Sequence, residues 1–160
     1  LEAVGGFESS YIPAEDWDLW LKLAANFEGI AVAKPQIRYR VSATSSSASL
    51  HRLEKARVRV LDRHIDTAPS QFAVEARALK RPAKARFYKG LACKALTAGA
   101  PNRQRGLNSA RLLGLAIIHN PQLLVEIKFL IVMAVKIGLV LVLSVGGMER
   151  SRQWFKALKA

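Results

Sequence analysis

After residue 50, hydrophobic positions recur at helical spacing along most of the chain. Leu53, Val60, Leu61 and Ile65 share one face of a helix predicted over residues 50–66, with basic residues on the other face. Phe87, Leu91, Ala95 and Leu96 form a second stripe, and Leu107, Ala110, Leu113 and Ile117 a third. Residues 83–119 therefore read as two helices. Gly99-Ala100-Pro101 punctuates them, in the order of a C-terminal glycine followed by a proline that cannot continue a helix. Residues 67–82, with Pro69 and Pro82, read as a break or a short connecting helix. Asn120-Pro121 reads as an N-cap followed by proline at the first helical position, opening a long apolar helix.

Leu96, Leu113, Ala116 and Pro121 fall at spacings similar to a tetratricopeptide unit, where small residues let two helices approach closely. One such unit cannot bury its own face, and an ordinary helical hairpin fits the same pattern.

Residues 1–49 are different in kind. They mix glycines, aromatics and acids and end in a Ser-rich tract over 42–49. The expected organisation is thus residues 1–49 as one segment, a helical extension over 50–119, and an apolar helix with a basic tail over 120–160.

Within the last segment, residues 129–145 are seventeen long with a single charge, Lys136. A bilayer core of about 30 Å takes roughly 20 apolar residues. A central Lys costs about 2.5–3.5 kcal/mol, and each Leu, Ile, Val or Phe returns about 0.3–0.6. Spanning, lying at the interface and packing as a buried helix all fit that balance. Lys128, Arg150, Arg152, Lys156 and Lys159 flank the segment, with Trp154 and Phe155 in the tail, a composition that favours membrane contact.

Composition narrows the classes. With 51% hydrophobic and 23% charged residues among 160, wholesale disorder is excluded. The single cysteine, Cys93, excludes an intramolecular disulfide framework and any multi-cysteine metal site. It sits on a helix stripe and reads as a small core residue. The net charge of +13 divides into −5 over residues 1–30 and +18 over 31–160. A nucleic-acid module would show one continuous basic stripe instead, so no nucleic-acid partner is expected. Residue 1 is Leu and the pattern opens in mid-course, which suggests a piece of a longer chain.

His51, His64 and His119 are scattered in helical contexts and read as surface or boundary residues, with no metal-ligand spacing. The stretch that can carry chemistry is Val4-Gly5-Gly6-Phe7-Glu8 followed by Glu15-Asp16-Trp17-Asp18-Leu19-Trp20-Leu21-Lys22-Leu23. Gly5-Gly6 permits a tight bend at positive φ. Glu15 and Asp16 open a helix, where carboxylates face the positive end of its dipole. A carboxylate held there acts as a general base if it faces a cleft, and otherwise only caps the helix.

This stretch resembles the second half of the catalytic domain of family 2 glycosyltransferases. The pattern there looks like V-G-G-F-D/E, a loop, E-D-x-x-L-x-x-R/K-L, a strand, then Y-R-x-H-x-x-S-x-S. The matching residues here are Val4-Gly5-Gly6-Phe7-Glu8, Glu15-Asp16, Leu19, Lys22-Leu23, the strand at 30–33, Tyr39-Arg40, Ser45 and Ser47. Ser42 stands where many relatives have His.

The resemblance implies an α/β fold: the acceptor-side end of a GT-A (nucleotide-diphospho-sugar transferase) domain, followed by an all-α extension. It implies inverting transfer of a sugar from a nucleotide-sugar donor to an acceptor hydroxyl, in cell-surface glycan synthesis, on a glycan or lipid-linked acceptor. Asp16 would be the catalytic base and Glu15 its support. Gly6 and Phe7 would shape the pocket floor, Trp17 would offer a sugar-stacking face, and Arg40 would face the leaving diphosphate. The donor-binding half, with the acidic motif that holds Mg²⁺ or Mn²⁺, would precede residue 1, so the chain alone is expected to be inactive. A location on the cytoplasmic face of a membrane goes with this function. The rival expectation is a non-catalytic basic helical module that binds a membrane surface or a protein partner.

Overall fold

A computed structural model of the chain describes residues 2–38, 49–97 and 102–143. Tyr39, Arg40, Ser42, Ser45 and Ser47, the 99–101 punctuation and the basic tail from Arg150 lie outside the described residues.

The described residues form helices and connecting segments, with no strand among them. The expected α/β architecture is therefore corrected: this is an all-α protein over the described residues. The apolar stretch at 30–33 lies in a segment over 28–38 without regular structure, where Ile30 is 91% exposed and Val32 62%. A strand needs a neighbour to take its N–H and C=O groups. No described segment supplies one, so β-like composition alone leaves this backbone to water.

Two compact units divide the chain, Leu1–Lys80 and Arg81–Ala160. In the first, helix α1 (Glu15–Asn26) packs on helix α2 (Leu50–Asp66). Short 3₁₀ turns at Glu2–Val4 and Ser9–Tyr11 lead into α1. Helix α2 begins where the Ser49 side chain accepts the Arg52 N–H, a cap that satisfies one of the donors a helix start leaves open. Its Leu53, Ala56 and Val60, three and four residues apart, are buried. Ala56 and Val60 join Tyr11 and Ala14 in a core against which Trp17 and Leu21 pack. Burying a Leu or Val side chain stabilises by about 1.5–3 kcal/mol, and the small Ala14 and Ala56 let the helices come close.

Helix α3 (Ala73–Thr97) passes from one unit into the other and contains Pro82 in its interior. The break expected over 67–82 is thus shorter than the prolines suggest: a 3₁₀ turn at Ser70–Phe72, then continuous helix. An interior proline removes one backbone hydrogen bond at a cost of about 3 kcal/mol. The helix-forming residues on both sides of Pro82 offset it.

In the second unit the helical part of α3 from Arg81 is joined by α4 (Arg103–His119) and α5 (Ile127–Leu143). The Asn102 side chain caps α4 by accepting the Arg105 N–H at 2.9 Å. Phe87, Leu91 and Ala95 of the expected α3 stripe are buried. In α4 the buried side is instead Gly106, Ser109, Leu112 and Ala116, one residue off the expected stripe, and Leu107 and Ala110 are exposed, because the small Gly106, Ser109 and Ala116 are what allow close helix contact. The buried Ser109 hydroxyl donates to the Ala92 carbonyl at 2.9 Å, and the Tyr88 and His119 rings stack at 5.5 Å. Asn120 caps as expected, but Pro121 opens a 3₁₀ turn over Pro121–Val125, and α5 starts only at Ile127.

Helices α4 and α5 are in close contact at Gly106. A Cβ there would meet the Leu141 Cδ2 at 2.8 Å, so only glycine fits without a shift. Met133 and Ile137 of α5 are buried, and the Cys93 Sγ lies 3.8 Å from the Met133 Sδ, so Cys93 packs among apolar groups. The opposite side of α5 is exposed. No helix of the described residues is long and apolar enough to cross a membrane.

Candidate functional site

Gly5 and Gly6 hold φ of +76° and +67°, the left-handed bend expected from the Gly-Gly pair. Nothing lies within 4 Å of a Cβ built on either, so the backbone conformation, not crowding, calls for glycine. Phe7 follows and is 63% exposed.

Helix α1 begins at Glu15, and Glu15, Asp16 and Asp18 all lie in its first turn. Negative charge is favourable there because the open N–H groups and the helix dipole present positive potential. The three carboxylates nevertheless have different fates, set by which side of the helix each one occupies.

Asp18 faces α2 and is fully buried. Its Oδ2 lies 2.6 Å from the Lys22 Nζ, one turn on, and its Oδ1 lies 2.8 Å from the His64 Nε2 of α2. Burial by itself pushes this carboxyl up. Hydrogen bonds from Lys22 and His64, backed by their charges, outweigh that and hold it below the usual carboxylate range. Asp18 is a strut between α1 and α2.

Asp16 lies on the other side of α1. Its Oδ1 accepts the Trp17 N–H at 2.9 Å, and no cation neutralises it among the described residues. At 3.6 residues per turn, Trp20, Leu23 and Phe27 lie on the same side as Asp16. Trp20 is 60% exposed and Phe27 55%, and with Leu23, Ala24, Glu28 and Gly29 they line an open apolar groove of about 500 Å³. Glu15 is half-buried, and its Oε2 has no hydrogen-bond partner among the described residues. A buried oxygen in that state is an acceptor without a donor.

Trp17 is half-buried on the core, with the Arg57 guanidinium 4.0 Å from its ring centroid, so that contact occupies one ring face. The Tyr11 hydroxyl accepts from Arg63 at 2.7 Å. Arg40 lies outside the described residues. The structure thus places Glu15, Asp16 and Trp17 together on the first turn of α1, with Gly6 and Phe7 in the bend that precedes it.

His64 read as a boundary residue but is the partner of Asp18, and Trp20 and Phe27 were not among the candidates at all. Sequence carried a signal for part of this. Asp18 and Lys22 stand four apart, the spacing of a helical ion pair, and Asp16, Trp20, Leu23 and Phe27 repeat at helical period. Nothing in the sequence signals His64.

No group of three His, Cys, Asp or Glu among the described residues can hold a metal ion, so they offer a divalent cation no ligand set. Comparison with protein-family models, curated proteins and solved structures found no match for this chain.

Proposed function

We propose that residues 1–49 contribute the acceptor side of an inverting glycosyl transfer, with Asp16 as the base that takes the proton from an acceptor hydroxyl. The observation that carries this reading is the sorting of carboxylates on α1. Asp18 is buried and committed to Lys22 and His64. Asp16 is partly exposed, bears no ion pair among the described residues, and stands at the head of the face formed by Trp20 and Phe27. A hydroxyl is a poor nucleophile until a positioned base accepts its proton as the new bond forms. Aromatic faces with one polar end suit sugar rings, which have apolar C–H faces and hydroxyl rims.

Glu15 supports that chemistry from the same turn. The support is local chemistry; the α/β architecture is absent from the described residues.

The test uses the protein that carries this segment, screened for transfer and donor hydrolysis over nucleotide sugars with Mg²⁺ or Mn²⁺. Asp16→Asn should lower kcat by about 10²–10⁴-fold, the usual worth of a positioned base, with Tm unchanged. Transfer near the parent rate in that variant would remove Asp16 from the chemistry.

A further inference from the structure

The charge of the chain follows its compact units. Unit Leu1–Lys80 carries 11 Lys and Arg against 10 Asp and Glu, a net +1. Unit Arg81–Ala160 carries 14 against 2, a net +12. Nearly the whole excess of the protein therefore belongs to the unit that contains α5.

That same unit exposes an apolar face. Ile127, Ile131, Val135, Leu139 and Leu143 recur every four residues along α5 and are 63, 58, 55, 53 and 38% exposed. Val132 and Val142 widen the stripe, at 49 and 72%. Leu124 and Val125 continue it into the preceding turn, at 55 and 81%. Soluble monomers rarely leave a continuous apolar patch of this kind uncovered unless it meets a partner.

The two observations together select the partner. We infer that α5 docks the Arg81–Ala160 unit on the surface of an anionic bilayer, its Ile131–Val135–Leu139 stripe set into the headgroup boundary and its bases toward the lipid phosphates. A protein partner for an apolar stripe does not call for a net charge of +12; an anionic lipid surface does. The geometry is that of a helix lying flat. The side of α5 opposite the stripe is packed on α4 through Leu141 and Gly106 and buries Met133 and Ile137, so only one side is offered to lipid. Lys136 sits at the border of the stripe and Lys128 at its N-terminal end, both exposed, where their stems lie along apolar surface and their ammonium groups reach water or phosphate. The inference is independent of the glycosyl-transfer reading, because it uses none of the same residues.

The test is co-sedimentation of the 160-residue chain with vesicles of phosphatidylcholine alone and of phosphatidylcholine with 30% phosphatidylglycerol. Binding to the anionic vesicles, weakened at least tenfold by 0.5 M NaCl, is expected, with little binding to the neutral ones. The pair Val135→Asp with Leu139→Asp should abolish binding while helicity by circular dichroism stays at the parent level. The pair Lys128→Glu with Lys136→Glu, which leaves the packed side of α5 untouched, should weaken anionic binding about tenfold or more. Full binding by the aspartate pair would overturn the inference, as would equal binding to neutral vesicles. Concentration-dependent self-association that the aspartate pair removes, without vesicle binding, would assign the face to a second copy instead. Preference for a DNA duplex over anionic vesicles in direct competition would also overturn it.

Discussion

Asp18 of α1 and His64 of α2, forty-six residues apart in sequence, meet at 2.8 Å through the carboxylate Oδ1 and the ring Nε2. The carboxylate is fully buried and its second oxygen is held by Lys22. This contact ties the helix that carries the candidate base to the longer helix beneath it, so Asp16 is positioned by a neighbour two residues away that points in the opposite direction.

Removing that strut should cost stability and not chemistry. Asp18→Asn keeps the size of the side chain but leaves Lys22 and His64 facing a neutral amide. A loss of about 1–3 kcal/mol is expected, read as a lower urea midpoint with unchanged slope. The paired comparison is Asp16→Asn, which should leave the midpoint within about 0.5 kcal/mol of the parent. If Asp18→Asn leaves the midpoint unmoved, the strut carries no stability.

The same group sets a pH dependence. The folded Asp18 carboxyl lies below its unfolded value near 3.8, so the folded state holds on to the charge more strongly than the unfolded one. Its contribution is complete above that unfolded value and disappears as pH falls through the lower folded value. Urea midpoints measured between pH 6 and pH 2 should fall less steeply for Asp18→Asn than for the parent below about pH 4. Parallel curves in that range would contradict the assignment.

The close approach of α4 and α5 gives a packing prediction. Gly106→Val places branched carbons where the Leu141 Cδ2 and Cγ already lie, at 2.8 and 2.9 Å from the first added atom. A destabilisation of about 1–3 kcal/mol is expected. Shortening the neighbour with Leu141→Ala should then recover part of the loss, and a double-mutant cycle measures the coupling. Strict additivity of the two changes would mean that the helices do not meet there.

The bend before α1 depends on backbone alone. Gly6→Ala meets no atom within 4 Å, yet it must hold φ near +67°, which costs an L-residue about 1–2 kcal/mol. Gly6→Asn, a residue that tolerates this region better, should lose less than Gly6→Ala. Equal losses from the two would show that the bend relaxes when substituted.

Much of the architecture was readable from one-dimensional pattern. The stripe Leu53, Val60, Leu61 and Ile65 marked α2, and Asn120 caps the element that follows it. Helical periodicity and capping are local, set by residues within one or two turns, so they survive in the sequence without knowledge of the fold. The Gly5-Gly6 bend is local in the same sense and holds its left-handed φ.

Two kinds of expectation failed: those that depend on a neighbour distant in the chain, and those that rest on a single local mark such as one proline. The apolar stretch at 30–33 has strand composition, but a strand exists only when another strand takes its hydrogen bonds, and the described residues hold none. Pro82 marked a break by local rule, yet α3 continues through it on the strength of the residues on both sides. The sequence by itself determined that these helices form, the Asn120 cap, the acidic start of α1 and the basic excess after it, but not which side of α4 is buried. Only the tertiary structure decided which acid is a strut and which faces outward, because that depends on where α2 places His64. Tertiary packing likewise decided that one side of α5 is spent on Gly106 and Leu141 while the Ile131–Leu139 side stays uncovered, since a helix that is apolar all round carries no mark of its own to say which side meets its neighbour.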